Sequence, residues 1–151
     1  MFRIVFLIVA AIFIVKVASA QSKKEVDTFI DRINSDTSFT TKIIKDTLYG
    51  CNLIIKCKIK GFYKNDTLQK VIYSHGFSKT STIHESFYIL EGKIVYYELK
   101  DVSDNTEFYS LSDRRMLVLN NGDYQNRTKE EVLYLERTIK EDLNWCIKKL
   151  K

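Results

Sequence analysis

The chain has 151 residues, of which 45% are hydrophobic and 28% charged, with five glycines and no proline. This composition excludes collagen-like, proline-rich and highly charged disordered chains, and the length fits one domain rather than several. Part of the net charge of +5 belongs to residues 1–20, which contain Arg3 and Lys16 but no acidic residue, so residues 21–151 carry only +3.

Residues 1–20 have the pattern of a secretory signal peptide. Arg3 gives a basic start, an unbroken apolar run covers 4–15, and Ala18-Ser19-Ala20 supplies the small residues that signal peptidase requires. The apolar run is too short to span a membrane. We therefore expect cleavage before Gln21 and export to a periplasm or the extracellular space. The alternative is an uncleaved N-terminal anchor.

The exported part, 21–151, is predicted to begin with a helix and two strands. Ser22 and Glu25 form a capping box ahead of apolar residues at helical spacing, which predicts a helix over 22–35. Residues 39–48 suit a first strand. In residues 53–60, the apolar residues at 53, 55, 57 and 59 alternate with Ile54 and with lysines at 56, 58 and 60. This pattern is typical of a strand with one buried face.

Three hairpins are predicted after these strands. Each has an aromatic strand, a polar tip and an apolar strand, and they cover 62–73, 87–97 and 108–119. The pattern resembles the hairpins of many small exported bacterial proteins and of MORN-type repeats, and it implies an antiparallel meander. Residues 76–83 and 100–107 are polar enough to be longer connections, 120–123 form a strong turn signal, and Gly61 is interpreted as a bulge or bend.

A second helix is predicted over 128–150. Thr128 and Glu131 form another capping box, and an apolar stripe follows it: Val132, Leu135, Ile139, Leu143, Cys146 and Leu150. We expect this helix to pack along the apolar face of the sheet. The sequence therefore predicts a single α+β domain, an antiparallel β-meander of about six or seven strands flanked by an N-terminal helix and a C-terminal amphipathic helix.

The three cysteines leave two interpretations open. On one straight strand, Cys51 and Cys57 would share a face but lie roughly 20 Å apart, too far to bond. A disulfide from Cys57, or from Cys51, to Cys146 would join the last helix to the sheet. The other interpretation is three small buried thiols.

Catalytic signatures are weak. Two histidines, His75 and His84, without a third residue at metal-ligand spacing, predict neither a metal nor a cofactor. Several carboxylates lie in or near the predicted sheet, among them Glu85, but nothing in the sequence shows one to be buried with a raised pKa. Phosphate-loop, dinucleotide and hydrolase motifs are absent from the sequence.

Strand aromatics and lysines are the best binding candidates. The near balance of charge does not favour nucleic acid. Tyrosines beside lysines suit recognition of a protein or an envelope glycan, and the candidates are Tyr63, Tyr88, Tyr97, Tyr109, Lys56 and Lys58. The competing interpretations are solubility and edge protection for the lysine row on the second strand, and cross-strand aromatic pairing that stabilises the sheet for the tyrosines.

The sequence thus favours a non-enzymatic exported module that binds a protein or cell-envelope component through an open sheet face. Two alternatives are a small exported hydrolase with a carboxylate or histidine site and a structural envelope protein. No membrane span is expected after signal cleavage, and the sequence does not indicate an oligomeric state.

Overall fold

The computed structural model describes residues 22–49, 54–76, 82–110 and 116–151. Two helices and eight strands follow one another along the chain: α1 (Lys23–Ser35), β1 (Thr40–Tyr49), β2 (Ile54–Lys64), β3 (Thr67–Gly76), β4 (Thr82–Leu90), β5 (Lys93–Lys100), β6 (Asn105–Ser110), β7 (Met116–Asn120), β8 (Asp123–Tyr124) and α2 (Lys129–Leu150). The predicted signal peptide and Cys51 lie outside the described residues.

The eight strands form one antiparallel sheet in the order of the sequence, which confirms the predicted meander. Tight turns connect several strands, with left-handed backbone at Asn65 and Asp66, at Glu91 and Gly92, and at Asn121 and Gly122. Two-residue turns of this hand match the twist of the strands that they join. Residues 76, 82–83 and 105–107 were expected in connections but belong to β3, β4 and β6, respectively. The turn at Asn121 leads into the short β8, and the strand count is eight.

Both helices begin as the sequence predicts. The capping boxes of Ser22 with Glu25 and of Thr128 with Glu131 are complete, because each cap side chain accepts from the backbone N–H three residues on and each glutamate accepts in return. They satisfy backbone N–H groups that have no partner within a helix.

The helices pack on opposite faces of the sheet. Helix α2 covers a core from β2 to β7 centred on Ile59, Val71, Phe87, Phe108 and Val118. Helix α1 packs Val26, Phe29 and Ile33 on the other face, against Tyr88, Val95, Tyr96 and Tyr109. Helix α1 contacts mainly the second half of the meander and, through Asn34, Lys70 of β3, so the part of this face that holds Lys45, Lys56 and Lys58 is not covered by any described element.

Gly61 makes room for the end of α2. A Cβ on Gly61 would lie 2.9 Å from Leu150 Cδ1 and 3.0 Å from Tyr63 Cε2. The irregularity in the β2–β3 register lies between Phe62 and Tyr63, not at Gly61, so the interpretation of Gly61 as a bulge is wrong. The close contact with Leu150 explains the glycine at this position. Neither helix in the described residues is long and apolar enough to cross a membrane.

Candidate functional site

The uncovered part of the α1 face carries a group of exposed lysines, here called the lysine patch: Lys45, Lys56 and Lys58. Lys45 on β1 is the direct cross-strand partner of Lys58 on β2, and Lys56 is two residues from Lys58 on the same face. The side chains of such neighbours start about 5 Å apart across strands and about 7 Å apart along a strand. The three ammonium groups are therefore close enough to contact one ligand together.

Among the residues that the structure describes, the lysine patch has no compensating carboxylate. None of its members forms an ion pair with an acidic residue in the described ranges. The only acidic residue of β1, Asp46, lies on the opposite face and pairs with Lys149 of α2 at 2.7 Å. Like charges directly opposite each other destabilise a sheet, so a bound anion would relieve this repulsion.

Neighbouring basic residues on the same face have partners inside the protein. Lys60 lies 4.6 Å from the centre of the Phe62 ring, and Lys70 lies 4.5 Å from that of Tyr88 and donates to Asn34 Oδ1 at 2.7 Å. Burial lowers the pKa of Lys70, partly opposed by the negative charge of Glu98. Lys60 and Lys70 therefore already have contacts within the protein, which sets the limit of the patch.

The structure places β2 inside the sheet, second from the edge. Lys56 and Lys58 therefore do not line a sheet edge, and edge protection does not account for them. Exposed apolar side chains flank them on the same face: Ile43 is 47% exposed and Ile54 is 59% exposed. The uncovered surface is thus basic with apolar borders, a composition suited to a partner that is both acidic and partly apolar.

Three of the four predicted tyrosines are core residues. Tyr88 and Tyr109 are 3% and 4% exposed beneath α1, and Tyr97 is 7% exposed beneath α2, so these three rings are covered by the helices and do not face solvent. Tyr88 and Tyr109 flank Tyr96 in edge-to-face contacts, with ring centres 5.4 and 4.8 Å from its own. Tyr63 is half-buried beside Gly61 on the α2 face. The proposed tyrosine and lysine sites do not share one surface.

A polar cluster lies under α2, centred on Glu85, the one buried charged residue among those described. Its Oε1 is 3.0 Å from His75 Nε2, and its Oε2 accepts from the Tyr97 hydroxyl at 3.0 Å. Burial and the nearby Glu85 charge raise the pKa of Tyr97 well above its usual value of 10. Each carboxylate oxygen thus has a partner, as a buried carboxylate requires.

His75 extends this cluster toward a thiol. Its ring stacks on Tyr73 with centres 4.6 Å apart, and the Tyr73 hydroxyl is 3.6 Å from Cys57 Sγ. Cys57 is also the cross-strand partner of His75. Both Tyr73 and Cys57 are buried, and burial, followed by the hydrogen bond to Cys57, raises the pKa of Tyr73.

Cys57 and Cys146 are free thiols that share the α2 core, where Cys146 is fully buried. Burial raises the pKa of Cys146 to about 12, and the charges of Glu85 and Asp142 act in the same direction. A thiol with so high a pKa is a poor nucleophile. The disulfide stays a prediction, and counting thiols with and without reductant tests it.

Lys45 was not among the residues predicted from the sequence, and Glu85 and His75 were not predicted to be buried or in contact. Glu85 lies between Ile83 and Phe87 at the inward positions of β4, and His75 follows Val71 and Tyr73 at those of β3. This period-two placement was a usable sign of burial. Nothing comparable identified Lys45, because its neighbour depends on the register of β1 with β2.

Other chemical sites are not evident in these parts of the chain. In the described ranges, no three His, Cys, Asp or Glu side chains are arranged to hold a metal ion. A cavity of about 350 Å³ lies between the middle of α2 and the sheet, lined by residues including Lys93, Ser110, Lys140 and Asn144. Comparison with protein-family models, with curated proteins and with solved structures finds no match to this chain.

Proposed function

We propose that the protein is an exported, non-enzymatic module that binds a negatively charged protein or envelope component through the lysine patch. The observation that carries this proposal is the pairing of Lys45 with Lys58 on a face where neither forms an ion pair with a described acidic residue. Two positive charges about 4 Å apart repel by about 1 kcal/mol in water, and the repulsion decreases as they separate. An anionic group bound between Lys45 and Lys58 is attracted to both, and this attraction offsets their mutual repulsion.

The charge distribution supports an anion as ligand. Lys100, on the same face, pairs with Glu98 at 3.0 Å, and Lys149 pairs with Asp46, so these amines are already neutralised. Lys45, Lys56 and Lys58 are available by contrast. Complementary charge on a partner speeds its encounter and selects against basic surfaces.

Dextran sulfate, a soluble polyanion, provides the first test. We expect the purified protein to bind it in low salt and to release it as salt screens the charges, since the screening length falls to about 10 Å at 0.1 M. Replacing Lys45 and Lys58 by Gln should weaken binding about tenfold, which equals two exposed charge pairs of about 0.7 kcal/mol each.

The matched control replaces Lys24 and Lys129 by Gln. Both are exposed, and they lie in the first turns of α1 and α2, where a positive charge does not stabilise a helix. This variant loses the same net charge and keeps the patch. Equal losses of affinity in the two double variants would show that the protein responds only to total charge, and would refute the proposal.

A hydrolase is the second candidate, and the observation that favours it is the placement of Cys57 opposite His75, which contacts Glu85. A nucleophilic thiol requires such a base, oriented by a third group. Alkylation of the native protein by iodoacetamide separates the candidates. A binding module leaves the buried Cys57 unmodified, whereas a hydrolase requires rapid modification that depends on His75.

A further inference from the structure

Strand β1 is an open edge of unusual regularity. It is the first strand of the sheet order and pairs with β2 without a break from Thr40 to Tyr49. Its other side has no strand partner among the described residues. Half of its backbone N–H and C=O groups therefore point away from the sheet, which is the arrangement that an added strand pairs with.

The edge lacks most of the devices that prevent such pairing. The β1–β2 register has no bulge, the chain has no proline, and the strand is ten residues long. Lysine is the remaining device. Lys45 projects on the patch side and Lys42 on the other side, where its ammonium group donates to the backbone carbonyls of Leu150 and Lys151.

The two faces of β1 define which strand would fit. On the patch side, Lys45 and Lys58 stand in one cross-strand row, and a ninth strand would extend that row by one position. On the other side, Ile44 and Leu48 pack against the α2 core. The complementary segment has acidic side chains on one face and apolar side chains on the other, alternating along its length.

Charge argues against a second copy of this chain as the occupant. Two β1 edges paired with each other would bring two copies of Lys45 and Lys58 onto one surface, within four strands. Like charges at that spacing are repulsive, whereas an acidic strand is attracted.

We infer that β1 accepts an acidic, extended peptide segment of another protein as a ninth strand. This inference rests on the proposed function, because it uses the lysine patch and adds the mode of binding. Backbone hydrogen bonds to β1 supply affinity, and carboxylates facing Lys45 supply specificity.

The probe is the acetylated, amidated octapeptide (Glu-Val)₄, which in extended form spans roughly 27 Å and places all its carboxylates on one face. The control peptide is (Lys-Val)₄. Affinity for the purified protein is measured by calorimetry. We expect (Glu-Val)₄ to bind and (Lys-Val)₄ not to bind. The Lys45→Gln/Lys58→Gln variant should lose about tenfold in affinity, and Lys24→Gln/Lys129→Gln should lose little.

Two N-methylated peptides test strand pairing itself, one methylated at every Glu nitrogen and the other at every Val nitrogen. In an added strand only alternate N–H groups face β1, so one methylated peptide should lose binding and the other should retain it. Equal binding of both would overturn the inference, and so would concentration-dependent dimerisation through β1 in analytical ultracentrifugation.

Dextran sulfate separates this inference from the proposed function. If the polyanion binds the lysine patch but (Glu-Val)₄ does not, strand addition is refuted and the anion-binding function stands. If neither binds, both are refuted.

Discussion

Replacing Glu85 is the most direct test of the packing under α2. Glu85 is 5% exposed, and its carboxylate contacts His75 Nε2 and the Tyr97 hydroxyl, each at 3.0 Å. A hydrogen bond to a charged group contributes about 1.5–3 kcal/mol, and the Glu85 carboxylate makes two such contacts. We expect Glu85→Ala to lower the free energy of unfolding by about 3–5 kcal/mol.

Graded substitutions divide this loss between its causes. Glu85→Gln keeps the shape and one acceptor oxygen, and should cost about 1–3 kcal/mol, because one of the two partners is left facing an amide N–H₂. Tyr97→Phe removes a single donor and should cost about 1.5–3 kcal/mol. If the network acts as a unit, the cost of the double variant Glu85→Gln/Tyr97→Phe differs from the sum of the two single costs by at least about 0.5 kcal/mol.

Urea unfolding followed by circular dichroism gives these free energies. Glu98→Ala is the matched control: Glu98 is on neighbouring β5, on the opposite face, and pairs with the exposed Lys100. A surface pair contributes at most about 1 kcal/mol. If Glu85→Ala cost no more than Glu98→Ala, the Glu85 carboxylate would be hydrated, and the packing described here would be wrong.

Three further changes test other parts of the structure. Lys58→Glu places a carboxylate opposite Lys45, so it should raise the free energy of unfolding in urea by about 0.5–1 kcal/mol. The same variant should no longer bind dextran sulfate. A lower free energy of unfolding would show that the two side chains do not interact. Gly61→Val should lower the free energy of unfolding by about 1–3 kcal/mol, because the new side chain meets Leu150 Cδ1. In a double variant, Leu150→Ala should relieve part of that cost, and additive costs would refute the contact. Burial raises the pKa of Asp142 above 3.8, as does the charge of Glu85, whereas His75 opposes the shift. Since the folded state holds this proton more tightly, Asp142 costs stability as pH rises from about 4, and Asp142→Asn should gain in stability over the wild type between pH 3 and pH 7. If the gain in stability of Asp142→Asn were equal at pH 3 and pH 7, or if the neighbouring Glu141→Gln gained as much, the raised pKa of Asp142 would be contradicted.

Local patterns were sufficient for both helices and for β2. The capping boxes marked both helix starts to within a residue, and the alternation over 53–60 identified β2 and its inward face. Such signals depend only on neighbours in the sequence, because cap hydrogen bonds and strand periodicity join residues at most a few positions apart.

The position of α1 was harder to predict, although the strands carry a sign of it. Strands β4 to β6 contain adjacent aromatic pairs, Phe87-Tyr88, Tyr96-Tyr97 and Phe108-Tyr109, which put large apolar rings on both faces. Strand β2 instead alternates core residues with lysines. Both faces of β4–β6 therefore need to be covered by other elements, whereas one face of β2 does not. Accordingly, α1 packs on β4–β6 and not on the lysine face of β2.

Cross-strand neighbours were beyond local reasoning. Whether Lys45 lies opposite Lys58 depends on the length of the connection between β1 and β2, since a shift of one residue moves every side chain to the other face. The Glu85 contact with His75 likewise depends on the register of β3 with β4. In both candidate sites, the strand register brings together residues of neighbouring strands, so neither site has a motif in the sequence.

The alternation of β2 and β4 also makes the two candidate functions separable by experiment. Lys56 and Lys58 alternate with the core residue Cys57, and Glu85 alternates with the outward-facing His84. Substituting a patch lysine therefore leaves the α2 core intact, and Glu85→Gln leaves the patch intact. A binding module loses its ligand in the first case and keeps it, at lower stability, in the second. A hydrolase at His75 and Glu85 would behave in the opposite way, because its chemistry requires the carboxylate and does not use the lysine patch.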